Sequence, residues 1–181
     1  MRIGSILTVA ALARTRRAWL AAVLLWALAG SPIMAQAGAA NALVEASDLA
    51  ADARLAAAKG VPLVVLYSRD DCSWCEKLRR EHLGPLARDP AMPAVVRELH
   101  MDRSTPLVDF AGRRTTSADF SRQVQAKFAP TVMFHGAKGE PLADAIVGFR
   151  LADFYAAYLD RALQESRARL TLMAASSTRR R

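Results

Sequence analysis

Apolar positions along the chain follow two spacings, and together they predict an alternation of strands and helices. Residues 61–68, VPLVVLYS, form a continuous apolar run typical of a strand buried on both faces. Residues 94–101, AVVRELHM, indicate a second strand. The segment TVMFH, a turn at residues 136–139 and the segment PLADAIVG indicate a β-hairpin. These segments predict four strands.

Helices are expected where apolar residues recur every three or four positions around these strands. Their predicted bounds are 47–59, 74–87, 117–128 and about 151–170. Ser47 and Ser117 are the expected N-caps, and Gly60 is expected to end the first helix. Gly84 and Pro85 should bend or interrupt the second helix. Residues 103–116 are predicted to form a long polar loop.

The predicted order α β α β α β β α defines an α/β fold in one domain. A chain of 181 residues can bury one hydrophobic core but is too short to expect two. Long crossovers precede the third strand, and crossovers of that length imply parallel neighbours. The domain is expected to span residues 47–170, after an Ala-rich linker at 38–46 and before a flexible basic tail at 171–181.

Residues 1–37 have the layout of an export signal. A basic stretch precedes the apolar run AWLAAVLLWALAG, whose 13 residues are fewer than the roughly 20 that cross a bilayer but suit a signal-peptide core. Ala35 and Ala37 supply the small residues that favour cleavage after Ala37. An uncleaved anchor formed by the same segment is the alternative. Either way, we expect the domain to lie in the periplasm, where disulfides persist.

The formal net charge of +8 is concentrated at the two ends of the chain. Residues 1–37 hold four arginines and no acid, and the last three residues are arginines. Without these seven arginines, 18 basic residues face 17 acidic ones, so the body of the chain is nearly neutral. Phosphate recognition needs a basic surface, and a nucleic-acid partner is therefore not expected.

The two cysteines of the chain, Cys72 and Cys75, directly follow the first predicted strand. A structural zinc site needs four nitrogen or sulfur ligands, and the three histidines are scattered, so neither a metal nor another cofactor is expected. A copper-binding thiol pair assisted by His135 remains an alternative, because His135 also follows a predicted strand. A structural clip is a weak explanation, since so small a loop constrains the unfolded chain little.

Redox chemistry explains the cysteine pair better. At a junction between strand and helix, Cys72 would lie at the helix N-terminus, where unpaired N–H groups and the helix dipole favour the thiolate. Cys75, one turn later and facing inward, would be placed to resolve a mixed disulfide formed by Cys72. The sequence therefore predicts a redox-active dithiol.

The strand before Cys72, the amphipathic helix after it and the segment Ala129-Pro130-Thr131 resemble the thioredoxin superfamily over about residues 47–165. This resemblance implies a thioredoxin fold, in which a central mixed sheet of about four strands is flanked by helices on both faces. It also implies that Cys72 is the nucleophile, Cys75 the resolving thiol and Pro130 a cis-proline facing the dithiol. Ala129 would offer its backbone to a substrate strand, with Thr131 beside it.

Stretches such as CSWCEKLRREHLGPL and APTVMFHGAKGEPL are similar to exported thioredoxin-like proteins of sulfur-oxidation and cytochrome-maturation systems. The chain departs from cytosolic thioredoxin at Leu66, where thioredoxins place a buried acid that could accept the proton of the resolving cysteine. It also carries acids beside the nucleophile, Asp70 and Asp71. Their charge opposes the thiolate, and Arg69 and Lys77 are the cations expected to offset it.

These features predict a periplasmic thiol:disulfide oxidoreductase that reduces protein disulfides as a monomer. Trp74 is expected to form an apolar rim for protein substrates, and a membrane electron donor is implied by the family likeness alone. Two alternatives remain at this point. One is a copper-binding or partner-docking module without turnover, and the other, suggested by Ser73-Trp74, is a glutathione-dependent, glutaredoxin-like reductase.

Overall fold

The computed structural model describes residues 42–91, 93–149 and 152–179. The predicted signal segment and residues 38–41 of the predicted linker lie outside the described residues. Within the described ranges, no helix combines the length and the apolar character needed to span a bilayer. In chain order the elements are α1 Leu49–Ala58, β1 Leu63–Ser68, α2 Ser73–Leu78, a π-helix Arg79–Leu83, α3 Gly84–Arg88, β2 Val95–His100, β3 Pro106–Val108, β4 Arg114–Thr116, α4 Ser117–Gln123, β5 Thr131–His135, β6 Ile146–Val147, a 3-10 turn Ala152–Phe154 and α5 Tyr155–Arg179.

Four strands of the described residues form the central sheet, in the order β2-β1-β5-β6. Strand β1 pairs with β2 in parallel and with β5 in antiparallel fashion, and β5 pairs with β6 in antiparallel fashion. The predicted mixed sheet is therefore confirmed. The expectation of parallel neighbours holds for β1 and β2 but is wrong for β5. The long connection between β2 and β5 ends at the edge of the sheet where β1 also ends. Strand β5 starts at that edge and therefore runs antiparallel to β1.

The sheet is covered by helices on both faces, as the thioredoxin resemblance implied. On one face, α1 and α4 bury Leu49, Ala53 and Phe120 against β1 and β2. On the other face, the helices after the cysteines and α5 bury a second set of side chains, which includes Leu78 and Leu83 together with Tyr155, Leu159 and Leu163. The uninterrupted apolar sequence of β1 follows from this arrangement, because all six of its residues are buried.

The first helix begins one residue later than the sequence predicted. Asp48, rather than Ser47, is the N-cap of α1, and its Oδ1 accepts a hydrogen bond of 2.7 Å from the Ala51 N–H. Gly60 ends the helix as expected, with a φ of +67° that suits glycine. Residues 44–46, assigned to the linker by sequence, lie along the outer edge of β2, where the Glu98 N–H and C=O both bond to them. The folded part of the chain therefore starts before residue 47.

The helix that carries the cysteines changes its winding twice. Segment α2 gives way at Arg79 to one π-helical stretch, and α3 resumes the α-helical winding at Gly84 with Pro85 in its first turn. Proline has no N–H to donate and is tolerated at that point. The interruption predicted at Gly84 and Pro85 is thus present as a change of helix type.

Residues 103–116, predicted as a loop, contain a two-stranded antiparallel sheet of β3 and β4. The buried Asp109 organises its turn, because its carboxylate accepts hydrogen bonds from the N–H groups of Ala111 and Arg113. Thr116, not Ser117, is the N-cap of α4. That helix ends at Gln123 instead of 128, where the Ala126 N–H bonds to the Ser121 carbonyl and Gln125 takes a positive φ of 58°.

The last helix extends beyond its predicted end. Helix α5 continues past Leu170 to Arg179, so residues 171–179 of the predicted tail are helical. Its buried side, Tyr155, Leu159, Ala162, Leu163 and Ser166, recurs at helical spacing and packs on the sheet. Beyond Leu170 the side chains are exposed, which is why apolar periodicity alone did not reveal the continuation.

Candidate active site

The two cysteines lie where β1 ends and α2 begins, and they form a disulfide bond. Cys72 is the N-cap of α2, and its Sγ accepts a 3.1 Å hydrogen bond from the Cys75 N–H. Cys72 is partly exposed, whereas Cys75 is fully buried. After reduction, the same N–H would face a negatively charged Cys72 sulfur, an arrangement that stabilises a thiolate at a helix N-terminus.

The segment Ala129-Pro130-Thr131 lies at the same edge of the sheet as the cysteines. Thr131 begins β5 and pairs with Tyr67, the residue next to the end of β1. The Ala129–Pro130 peptide bond is cis, as the resemblance implied. Two hydrogen bonds hold this segment, one from the Gly148 N–H to the Pro130 carbonyl at 2.7 Å and one from the Thr131 hydroxyl to the Phe128 carbonyl at 2.7 Å.

His135 does not join the cysteines. It ends β5 and pairs with Leu63, the first residue of β1, whereas the cysteines follow the last one. It lies four positions after Thr131 in an extended strand, which is about 13 Å along the sheet. His135 is buried, bonds to the Gly139 carbonyl through Nδ1 at 3.1 Å, and its pKa is lowered by burial. A copper site that combines His135 with both sulfurs is therefore excluded by the fold.

Trp74 lies between the two cysteines in sequence and leaves 54% of its surface exposed. Its ring is 5.6 Å from that of Phe149, which in turn stacks 4.8 Å from the buried Tyr155 ring. Lys77 Nζ lies 5.9 Å from the Trp74 ring and 5.8 Å from that of Phe149, within the range of a cation–π contact. Trp74, Phe149 and Tyr155 thus form a row of aromatic rings next to the cysteine pair, and the expected role of Trp74 toward protein substrates stays a prediction.

A polar network fixes the residues just before Cys72. Asp70 Oδ1 accepts a hydrogen bond from Arg103 Nη2 at 2.6 Å and faces His100 Nδ1 at 3.1 Å. The hydrogen bond from Arg103 lowers the pKa of Asp70. The Asp70 N–H also donates to Asp102. The negative charge of Asp70 is thus offset by Arg103 and not by the expected cations, since Arg69 lies near Asp102 and Lys77 near Glu81.

Asp70, His100 and Asp102 also form the one cluster in the described part of the chain that could hold a metal ion, with ligand atoms within 4.8 Å of one another. Arg103 competes for the same Asp70 oxygen. The three side chains are therefore satisfied by protein groups, and the arrangement is that of a hydrogen-bonded network.

A buried ion pair lies beneath the helix that carries the cysteines. Glu98, only 5% exposed, accepts two hydrogen bonds from Arg79, which follows Cys75 by one helical turn. Glu98 pairs across the sheet with Leu66. Leu66 occupies the position at which thioredoxins have a buried acid. This pair was not predicted from the sequence. The one feature that could have indicated it is an acid, Glu98, in the middle of a strand whose residues are mostly buried.

These elements define a protein with a disulfide-forming cysteine pair at a helix N-terminus and a cis-proline at the same edge of a four-stranded mixed sheet. Such a pair is suited to thiol–disulfide exchange, because one cysteine is partly exposed and the other is buried one turn away. The chain belongs to the thioredoxin-like domain family, which it matches over residues 49–163. A comparison with curated proteins finds no match.

Solved structures that are similar to this chain include other members of the thioredoxin class. Oxidized mitochondrial thioredoxin 3 from Saccharomyces cerevisiae shares 16% identity, with 70% of this chain and 97% of that chain covered and a TM-score of 0.47. Oxidized thioredoxin O2 from Arabidopsis thaliana shares 14% identity, with 63% and 91% covered and a TM-score of 0.40. DsbH oxidoreductase shares 16% identity, with 76% and 96% covered and a TM-score of 0.46. Likeness at this level says nothing about substrates.

Proposed function

We propose that the protein is an exported thiol:disulfide oxidoreductase that reduces disulfides of other proteins in the periplasm. The observation that carries this proposal is the asymmetry of the cysteine pair. Cys72 is partly exposed and its sulfur accepts a hydrogen bond from an N–H at the start of α2, whereas Cys75 is buried. One cysteine is thus placed to attack and the other to resolve.

The reaction proceeds by two exchanges of sulfur partners. The Cys72 thiolate attacks one sulfur of a substrate disulfide, so that a Cys72–substrate bond forms and the other substrate sulfur leaves as a thiolate and takes up a proton. Cys75 then loses its proton and attacks Cys72, which restores the Cys72–Cys75 bond and releases the second substrate thiolate. The substrate gains two electrons and the dithiol loses two.

Ala129, Pro130 and Thr131 are proposed to bind the substrate chain beside the dithiol. They lie at the same sheet edge as Cys72, and Pro130 uses its carbonyl for Gly148. The exposed Trp74, two residues after Cys72, is proposed to provide apolar contact to the substrate. In this proposal the protein acts as a monomer without a bound cofactor, and the export segment 1–37 supports the periplasmic location. Because the periplasm is kept oxidising, a membrane protein has to supply electrons to the oxidised dithiol.

Capture of the mixed disulfide tests the enzyme proposal. Cys75→Ser should accumulate covalent complexes with protein substrates in envelope extracts, because the first exchange occurs and the second cannot. The matched variant Cys72→Ser should capture none, and the double serine variant controls for unspecific contacts. Complexes that form equally with both single variants, or with neither, would contradict the proposed roles.

The redox potential of the Cys72–Cys75 couple tests the direction of electron flow. A potential near that of thioredoxin, about −270 mV, supports reduction of substrates, whereas one near −120 mV, as in a strong oxidant, would contradict it. The measurement is an equilibration of the purified protein with defined ratios of reduced and oxidised dithiothreitol or glutathione.

A further inference from the structure

A cavity of about 410 Å³ opens at the sheet edge that carries the dithiol. Its wall is formed by residues that follow β1 and β2, by the C-terminal end of α4 and by the chain between α4 and the cis-proline. Arg69 precedes Cys72 by three residues, and Lys127 precedes Pro130 by three. Because three residues of chain span at most about 11 Å, the backbone of Arg69 lies within that distance of Cys72, and the backbone of Lys127 lies within that distance of Pro130.

The wall of this cavity is predominantly basic. Arg69, Arg122 and Lys127 line it, and Asp102 is the one acid among its lining residues. Arg69 Nε lies 3.9 Å from Asp102, which also accepts the Asp70 N–H, and Arg122 contacts Asp119 outside the cavity. Lys127 forms no ion pair in the described part of the chain. The cavity therefore keeps an excess of positive charge.

We propose that this cavity binds a carboxylate carried by the substrate whose disulfide exchanges with Cys72. The inference rests on the proposed function and adds a substrate class to it, namely disulfides with negative charge near the sulfur atoms. A concave wall of one charge sign raises the local concentration of oppositely charged molecules and their association rates. The carboxylate can belong to a small disulfide or to an acidic residue beside a protein disulfide.

Three small disulfides of different charge test the cavity. The reduced protein is mixed with oxidised glutathione, which is anionic, with neutral bis(2-hydroxyethyl) disulfide or with cationic cystamine, and the loss of protein thiols is followed. Each rate constant is divided by that of the same disulfide with dithiothreitol, which cancels the intrinsic reactivity of the disulfide. At low ionic strength the normalised rate should be on the order of tenfold higher for oxidised glutathione than for cystamine. In 1 M salt, where the screening length is about 3 Å, the difference should largely disappear.

Lys127→Glu locates the effect in the cavity. This variant should remove or reverse the preference for the anionic disulfide, whereas Lys138→Glu, the same charge change at the opposite end of β5, should retain it. The neutral disulfide is the internal reference, because a change in the reactivity of Cys72 itself would alter all three rates together.

Two cyclic peptides that differ only in a glutamate or a lysine beside the disulfide distinguish the sources of the carboxylate. A preference for the glutamate peptide assigns the carboxylate to protein substrates, and a preference confined to oxidised glutathione assigns it to a small molecule.

Equal normalised rates for the three small disulfides, or an equal effect of the two lysine variants, would overturn the inference and leave the proposed function intact. A reduced protein that reacts with none of the disulfides would instead contradict the proposed function and this inference with it.

Discussion

Arg103 Nη2 donates a 2.6 Å hydrogen bond to Asp70 Oδ1, and Asp70 lies two residues before Cys72. A side chain from the connection after β2 thus offsets one of the two acids that precede the dithiol. The pKa of Asp70 is lowered chiefly by this hydrogen bond, so the carboxylate stays charged while its field is balanced locally. We therefore expect the reactivity of Cys72 to depend on Arg103, which is far away in sequence.

Arg103→Gln should make the reduced protein a slower nucleophile. Without the guanidinium, the negative charge of Asp70 is no longer offset by Arg103. We therefore expect the pKa of the Cys72 thiol to be higher in the variant than in the parent protein. We expect the rate of attack on a neutral disulfide at neutral pH to fall roughly two- to threefold, because the thiolate is the attacking species. The rise of thiolate absorbance with pH reports the shift directly.

Two variants give this measurement its controls. Arg103→Lys keeps the positive charge and should restore most of the rate of attack. Arg114→Gln removes an exposed cation from the hairpin of β3 and β4 and should leave this rate unchanged. Loss of rate in Arg114→Gln equal to that in Arg103→Gln would show that only the net charge of the protein matters.

Removing one partner of the buried pair of Arg79 and Glu98 should destabilise the fold strongly, whereas replacing both partners with apolar residues should destabilise it little. Arg79→Leu leaves a carboxylate buried without its main partner, and we expect the free energy of unfolding to drop by about 3–5 kcal/mol. The double variant Arg79→Leu with Glu98→Leu should recover most of this loss. Denaturant unfolding of the oxidised proteins measures both values, and a double variant no more stable than the single one would contradict the prediction.

Tyr67 should make the fold sensitive to alkaline pH. The residue is fully buried, its hydroxyl has no hydrogen-bond partner among the described residues, and burial raises the pKa of its phenol. The unfolded chain ionises this group near its ordinary pKa of about 10, whereas the folded protein does not. Stability is therefore fully present below that pH and decreases as the pH rises above it.

Tyr67→Phe removes the ionisable group and should flatten this alkaline loss. At neutral pH the variant should be as stable as the parent protein or more stable by up to about 1 kcal/mol, since no hydrogen bond is lost. Thermal unfolding between pH 7 and about pH 11 is the measurement. An unchanged slope of stability against pH in the variant would refute the assignment to Tyr67.

Asp109 should be necessary for the hairpin of β3 and β4. Burial raises the pKa of Asp109, but hydrogen bonds from the backbone and side chain of Arg113 and from the Ala111 N–H outweigh burial and leave the pKa lowered. Asp109→Ala removes the acceptor of these donors and should cost about 1–3 kcal/mol. The contribution of a carboxylate with a lowered pKa is present above its unfolded pKa and is lost as the pH falls through the folded one. Acid unfolding should therefore differ less between variant and parent than unfolding at neutral pH.

The sheet and the cysteine site could be predicted because local sequence specifies them. The apolar run of β1, the cysteines directly after it and the segment Ala129-Pro130-Thr131 each indicate their own structure, and the structure brings all three to one edge. The direction of β5 could not be predicted from loop length, since the small sheet inside residues 103–116 changes where that connection ends.

The ion pairs near the dithiol could not be predicted from the sequence for a different reason. Arg103 and Asp70, and likewise Arg79 and Glu98, are separated by many residues, and each is an unremarkable charged position in its own segment. Only the parallel pairing of β1 with β2 brings Ser68 beside His100 and Leu66 beside Glu98. A pattern within one segment carries no information about such neighbours.

The position of Trp74 gives the protein an optical signal of its own. The other two tryptophans, Trp19 and Trp26, both lie in the predicted export segment, so a chain cleaved after Ala37 would contain Trp74 alone. A disulfide next to an indole quenches its emission, and opening the Cys72–Cys75 bond should brighten it. The fluorescence of this single tryptophan would then report, without any label, which fraction of the protein is in the reduced, dithiol form.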